Sequence, residues 1–236
     1  MTAHEALVES HISRWLTRSQ LSIQAQKEQA KEAGPHPIPP SITFSIAYGS
    51  GADEVVERVA GKLGYQVLDR EIIDGICQST PIQRRIIEAL DKADSSVVPS
   101  MPEQIFTRHF IDDTSYLTTL IRVMRFISAL GPMIFIGRGA CHVLREMKAL
   151  NVRIIADYAD RVDEVMAADG LERGEVEAKI DAEDEMRERF IRNYFKKEID
   201  DPTAYHMVLN RSRLTVDLCA DMVVRAYEAI SGSQSG

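Results

Sequence analysis

From residue 41 onward, short apolar runs alternate with longer stretches of helical spacing. The runs Ile42–Ala47, Tyr65–Leu68, Met133–Ile136, Val152–Ala156 and Met207–Leu209 are each followed by a helix-compatible segment. Short buried strands joined through helices make parallel sheets covered on both faces, so the pattern predicts an α/β domain with about five parallel strands. The interval Ile72 to Leu130 has helical spacing and no convincing strand, and Pro81, Pro99 and Pro102 break it. It predicts a helical insertion. A densely charged stretch, Arg173 to Lys197, predicts a second helical excursion with the character of a lid.

Ahead of this domain, Leu7, Ile12, Trp15, Leu16, Leu21 and Ile23 punctuate a polar segment. Their spacing suits one or two amphipathic helices that need a partner surface, on this domain, on a second copy or on another protein. Four prolines between Gly34 and Pro40 then stop any helix. The expected division is a helical arm at 1–33, a linker at 34–40, the α/β domain at 41–230 and a flexible Gly/Ser tail at 231–236.

Composition adds exclusions. The chain has 236 residues, 44% hydrophobic and 27% charged, enough for one full core with appendages. A formal charge of −8 argues against a general nucleic-acid binder, which needs a basic face. Cys77, Cys141 and Cys219 are odd in number, far apart and set among apolar residues, and the histidines lack metal-ligand spacing. Neither a disulfide framework nor a metal site is expected. No apolar run approaches the ~18 residues of a membrane span, and the N-terminus shows no leader pattern, so the expected compartment is the cytoplasm, away from any membrane.

Three places could carry chemistry. The first strand runs into Gly49-Ser50-Gly51-Ala52-Asp53 and then a helix. A strand, a glycine turn and a helix N-terminus together present backbone N–H groups to a phosphate. Ala52 and Asp53 nevertheless stand where a Walker A turn has Lys and then Ser or Thr. Asp53, Glu54 and Glu57 repel an anion and complement the helix dipole, so the turn can equally be self-sufficient. Asp53 could also serve as an oxygen ligand to a divalent ion. Second, Met133-Ile-Phe-Ile-Gly-Arg-Gly-Ala140 ends a strand in a glycine-flanked arginine. Arg138 there suits bidentate phosphate binding, with a salt bridge as the alternative. Third, Arg187, Arg189 and Arg192 lie within two helical turns, among acidic residues that could instead pair them off as a solvated face. His142 reads as packing.

The ordered set of pieces resembles the bacterial cytidylate kinase-like proteins, within the P-loop nucleoside monophosphate kinases. The matching stretches are Ile42-Thr-Phe-Ser with Tyr48-Gly-Ser-Gly, Leu63-Gly-Tyr-Gln-Val-Leu-Asp-Arg-Glu-Ile-Ile73, Ile136-Gly-Arg-Gly-Ala140, Asp184 to Phe195, and Asp201-Pro-Thr-Ala-Tyr with Leu209-Asn210. The resemblance implies a P-loop NTPase-like sheet with a helical substrate-binding insertion and a helical lid. It implies ATP with Mg²⁺ as phosphoryl donor at Gly49, Ser50, Gly51, Ala52 and Asp53, and a nucleoside monophosphate, CMP first, at Asp69, Arg138 and Arg161. Arg187 and Arg192 then neutralise the transferring phosphoryl group, since such transfer is mostly positioning and charge neutralisation.

The chain also departs from the family's pattern. Relatives usually read Ser-Arg-Gln before the glycine turn and often Gly-Gly after its serine, where this chain has Ser45-Ile-Ala47 and Gly51-Ala52-Asp53. In true cytidylate kinases an aspartate follows the arginine, and here it is Gly139. His206 stands where relatives often show Asp. Two readings stay open: a phosphotransferase, and a binding module that kept the fold while losing the chemistry.

Overall fold

The computed structural model describes residues 10, 17, 39–78 and 116–232. Its strands are β1 (Ile42–Ile46), β2 (Val67–Leu68), β3 (Ile134–Ile136), β4 (Leu150–Ile155) and β5 (Met207–Asn210). All pair in parallel, in the order β2-β3-β1-β4-β5, so β1 is central with β3 on one side and β4 on the other. The five predicted runs are these five strands, with β4 starting two residues earlier than the apolar run because Leu150 and Asn151 already pair with Ile42 and Thr43.

Helices α1 (Ala52–Leu63) and α7 (Val216–Gly232) cover one face. Val55, Val56 and Val59 recur at helical spacing along α1 and pack with Cys219, Ala220 and Val223 over Ile42, Phe44, Val152 and Ile154. On the outside, Arg58 pairs with Asp217 and Lys62 with Asp221, fixing how the two helices lie together. The other face is covered by α2 (Arg70–Gln78), α3 (Tyr116–Leu130) and the short α4 (Ala140–Val143), whose Ile73, Ile76, Leu120, Met124 and Val143 enclose Phe135. The helices α5 (Tyr158–Asp169) and α6 (Arg173–Phe195) form a smaller cluster through Val162, Val165, Val176 and Ile180.

β1 is not apolar on both faces. Ile42 and Phe44 enter the α1/α7 core, whereas Ser41, Thr43 and Ser45 make a row of hydroxyls on the other face. Buried Ser41 and Thr43 and half-buried Ser45 each have a partner. Ser41 shares a 2.8 Å hydrogen bond with Ser128, Thr43 donates to Asn151 Oδ1 at 2.8 Å, and Ser45 accepts from Arg153 Nη1 at 2.9 Å.

The central part of the predicted insertion lies outside the described residues; its ends are α2 and α3. Of the N-terminal arm only Ser10 and Thr17 are described, and of the linker only Pro39 and Pro40. At the other end α7 continues through Ser231 and Gly232, into the stretch read as tail, and Ser231 Oγ donates to Tyr227 O at 2.8 Å. Among the described residues no helix is long and apolar enough to cross a membrane.

Candidate functional site

Parallel strands bring all five carboxyl ends to one edge of the sheet, where open α/β folds hold their ligands. After β1, Ala47 N donates to Ile154 O at 2.9 Å and Ser50 N to Ala47 O at 3.2 Å, which closes the turn. Gly49 and Gly51 are left-handed, with φ of 73° and 63°. A Cβ on Gly49 would lie 2.6 Å from Val165 Cγ2 and 2.9 Å from Arg161 O, so α5 holds the turn closely enough that only glycine fits. Gly51 caps α1 and, having no side chain, leaves the first turn without an N-cap side-chain hydrogen bond; Asp53 and Glu54 stand in that turn. Ser50 is 5% exposed and its Oγ has no partner.

A cavity of about 220 Å³ opens between the ends of β1 and β3 and the inward face of α6. Asp53, Asp69, Arg138 and Arg187 all line it, together with apolar Phe44, Ile136 and Phe190. Asp69 Oδ1 accepts from Ile72 N at 2.8 Å, starting α2. Arg138 sits at φ 50° between Gly137 and Gly139, at 74° and 67°, so three left-handed residues in a row fold the strand end back over the cavity. The Arg138 guanidinium grips Asp74 and lies 4.8 Å from the Phe190 ring centre. Burial opposes its charge, but hydrogen bonding and attraction to Asp74 outweigh that and raise its pKa above the ordinary arginine value. Both readings of Arg138 therefore meet in one side chain: it is a cavity cation, and it is paired.

A second cavity of about 150 Å³ adjoins the first at Ile46 and Arg187. Three arginines converge there, Arg153, Arg161 and Arg187, each already held by protein oxygens. Arg161 donates to Tyr48 O at 2.7 Å and to Asp184 at 2.6 Å. Arg187 donates to Ile46 O at 2.9 Å and to Glu183 at 3.2 Å, and stacks on the Tyr48 ring. Burial pulls the Arg187 pKa down; Glu183 holds it up, and Arg70 pushes it down. Arg153, 7% exposed on β4, donates to Ser45 and pairs with Asp200. Nothing in the sequence reading singled out Arg153, although a lone arginine inside an apolar strand was a visible signal.

Arg192 is not brought to either cavity. Five residues beyond Arg187 it lies about 140° round the helix, more than half exposed and paired with Glu188 and Glu198. Arg189 likewise pairs with Glu185 in solvent. His142 packs on Phe195, and burial lowers its pKa. Among the described residues, no group of three or more His, Cys, Asp or Glu side chains is placed to hold a metal ion.

A model of the cytidylate kinase-like family matches residues 41–213. No curated protein matches the chain. Among solved structures, an uncharacterized protein from Eubacterium ventriosum ATCC 27560 superposes with a TM-score of 0.63 at 16% identity, over 81% of this chain and 99% of that one. TT1252 from Thermus thermophilus aligns at 21% identity over 84% of this chain and all of its own, with a TM-score of 0.33. The first of these likenesses speaks to the fold, a five-stranded parallel α/β sheet.

Proposed function

The chain belongs to the cytidylate kinase-like family, and from that premise we propose that it transfers the γ-phosphoryl group of ATP to a nucleoside monophosphate, CMP being the first candidate. The observation that carries this reading is the convergence of Asp53, Asp69, Arg138 and Arg187 on one cavity beside an uncapped helix N-terminus. Gly49, Gly51 and Ala52 give main-chain donors for a polyphosphate, while Ser50, whose N–H stays with Ala47 O, offers its unpartnered buried hydroxyl to such a ligand. Mg²⁺ carried on the polyphosphate takes most of its ligands from phosphate and water, so Asp53 alone is a sufficient protein contribution.

In this reading Asp69 and Arg138 hold the acceptor and Arg161 stiffens the site through Tyr48 and Asp184. Arg187 faces the group in flight. An acceptor phosphate oxygen bonds to the γ-phosphorus as the bond to the bridging oxygen breaks, leaving ADP and a nucleoside diphosphate. Cations that are fixed beforehand reduce the cost of the charge that develops. The binding-module reading keeps one support, the acidic first turn of α1 in place of a Walker lysine.

Incubating the protein with Mg-ATP and CMP and following CDP tests the proposal, with calorimetry on each nucleotide alone. Turnover establishes the kinase. ATP binding without CDP over hours leaves the binding module, and no heat with millimolar Mg-ATP removes the kinase.

A further inference from the structure

The glycine turn has no lysine, yet a cation stands beside it from a distant part of the chain. Arg211 follows β5 directly, and its backbone N donates to Ile155 O at 2.8 Å, which fixes the residue against the end of β4. A Cβ built on Gly51 points at its guanidinium, 3.6 Å from Nη2 and 3.8 Å from Nε. Nη1 donates to Leu214 O, and the side chain also faces the Cys219 thiol, but Nε is buried with no hydrogen-bond partner. Glu164 Oε1 reaches the same point at 3.8 Å.

Two buried groups at this turn are therefore unsatisfied, Ser50 Oγ and Arg211 Nε. Buried donors left unpaired are costly, and where they cluster at an uncapped helix N-terminus a ligand oxygen is the partner that would satisfy them. The local charge points the same way. With Asp53, Glu54 and Glu164 around it, the turn cannot favour a polyphosphate through its amides alone.

We infer that Arg211 supplies the positive charge of the glycine turn, holding the polyphosphate of a nucleoside triphosphate where the turn itself carries none. The inference rests on the nucleotide reading above and assigns a positioning residue to it. The guanidinium hydrogen-bonds the terminal phosphates from outside the turn, so the charge a Walker lysine would provide from within arrives from the loop after the edge strand.

The test is calorimetric titration of Mg-ATP and of inorganic tripolyphosphate into the full chain, its R211Q variant and its R211K variant, with thermal midpoints recorded. Loss of one charge-assisted hydrogen bond predicts that R211Q weakens both ligands by about tenfold or more. R211K, which keeps the charge but not the Nη1 hydrogen bond to Leu214, is expected to bind both ligands more tightly than R211Q and less tightly than the parent. R211Q binding as tightly as the parent overturns the inference. So does equal weakening in both variants, which would mean that Arg211 acts only by holding Leu214. A parent that binds neither ligand removes the glycine-turn reading and this inference together. A parent that binds tripolyphosphate through Arg211 but makes no CDP leaves the inference standing and removes only the phosphotransferase.

Discussion

Arg138 Nε meets Asp74 Oδ1 at 2.8 Å while Nη2 meets Oδ2, so the cavity arginine is held by a carboxylate in the two-pronged geometry with which it would hold a phosphate. Tyr116 donates to the same Oδ1 at 2.5 Å. On the proposed reading an acceptor phosphate would compete with Asp74 for Arg138.

Asp74→Asn is expected to destabilise the free protein by about 1–2 kcal/mol, the worth of a weakened charge-assisted hydrogen bond. It is also expected to enlarge the stabilisation by CMP, because the released guanidinium turns to the ligand. Thermal midpoints with and without CMP measure both. Smaller protection of the variant than of the parent would contradict this.

Gly139 is fixed by contact as well as by conformation, since a Cβ there would lie 2.2 Å from Phe195 Cε2. Gly139→Ala is expected to cost about 2–4 kcal/mol from overpacking and left-handed strain combined. Denaturant unfolding in a Phe195→Ala background should show a smaller cost for the same change, leaving only the strain.

The two lid arginines are expected to separate. Arg187→Met should lower CDP formation by about a hundredfold or more, as for loss of a positioned charge-stabilising group. Arg192→Met removes only exposed pairs worth ~0.2–1 kcal/mol and should leave the rate within about threefold. Equal losses in a kinetic assay would show that the helix turns its outer face to the ligand during turnover.

Burial raises the Cys141 thiol from 9.0 to about 11 and Cys77 from 9.0 to about 12. A folded-state pKa above the unfolded one means that the unfolded chain releases these protons first. Their contribution to stability is whole below pH 9 and is lost as pH climbs through 11 to 12. Stability measured by denaturant should fall across that window, and Cys77→Ala with Cys141→Ala should flatten the fall. At pH 8 both thiols should resist alkylation in the native state, read by mass spectrometry.

The sheet was legible because buried strands carry their own signal: Ile42, Phe44, Ile134, Val152 and Ile154 are apolar for a reason local to each run. The hydroxyl row on β1 was hidden, since Ser and Thr pass for ordinary strand residues until Asn151 and Arg153 come to lie opposite them. Charge runs on α6 were half legible. Arg189 and Arg192 pair with glutamates one turn away, as their spacing forecast, but which arginine turns inward depends on where Tyr48 and Ile46 lie. Arg211 could not be found from sequence at all, because its relation to Gly51 spans the whole domain.

The contact of Gly49 with Val165 has a mechanical corollary. Together with the bonds from Arg161 to Tyr48 and from Arg187 to Ile46, it rivets the bend after β1 to the pair of helices above it. On the proposed reading nucleotide entry falls to the opposite rim, where Arg138 lies on Phe190 and is gripped by Asp74, itself bound by Tyr116.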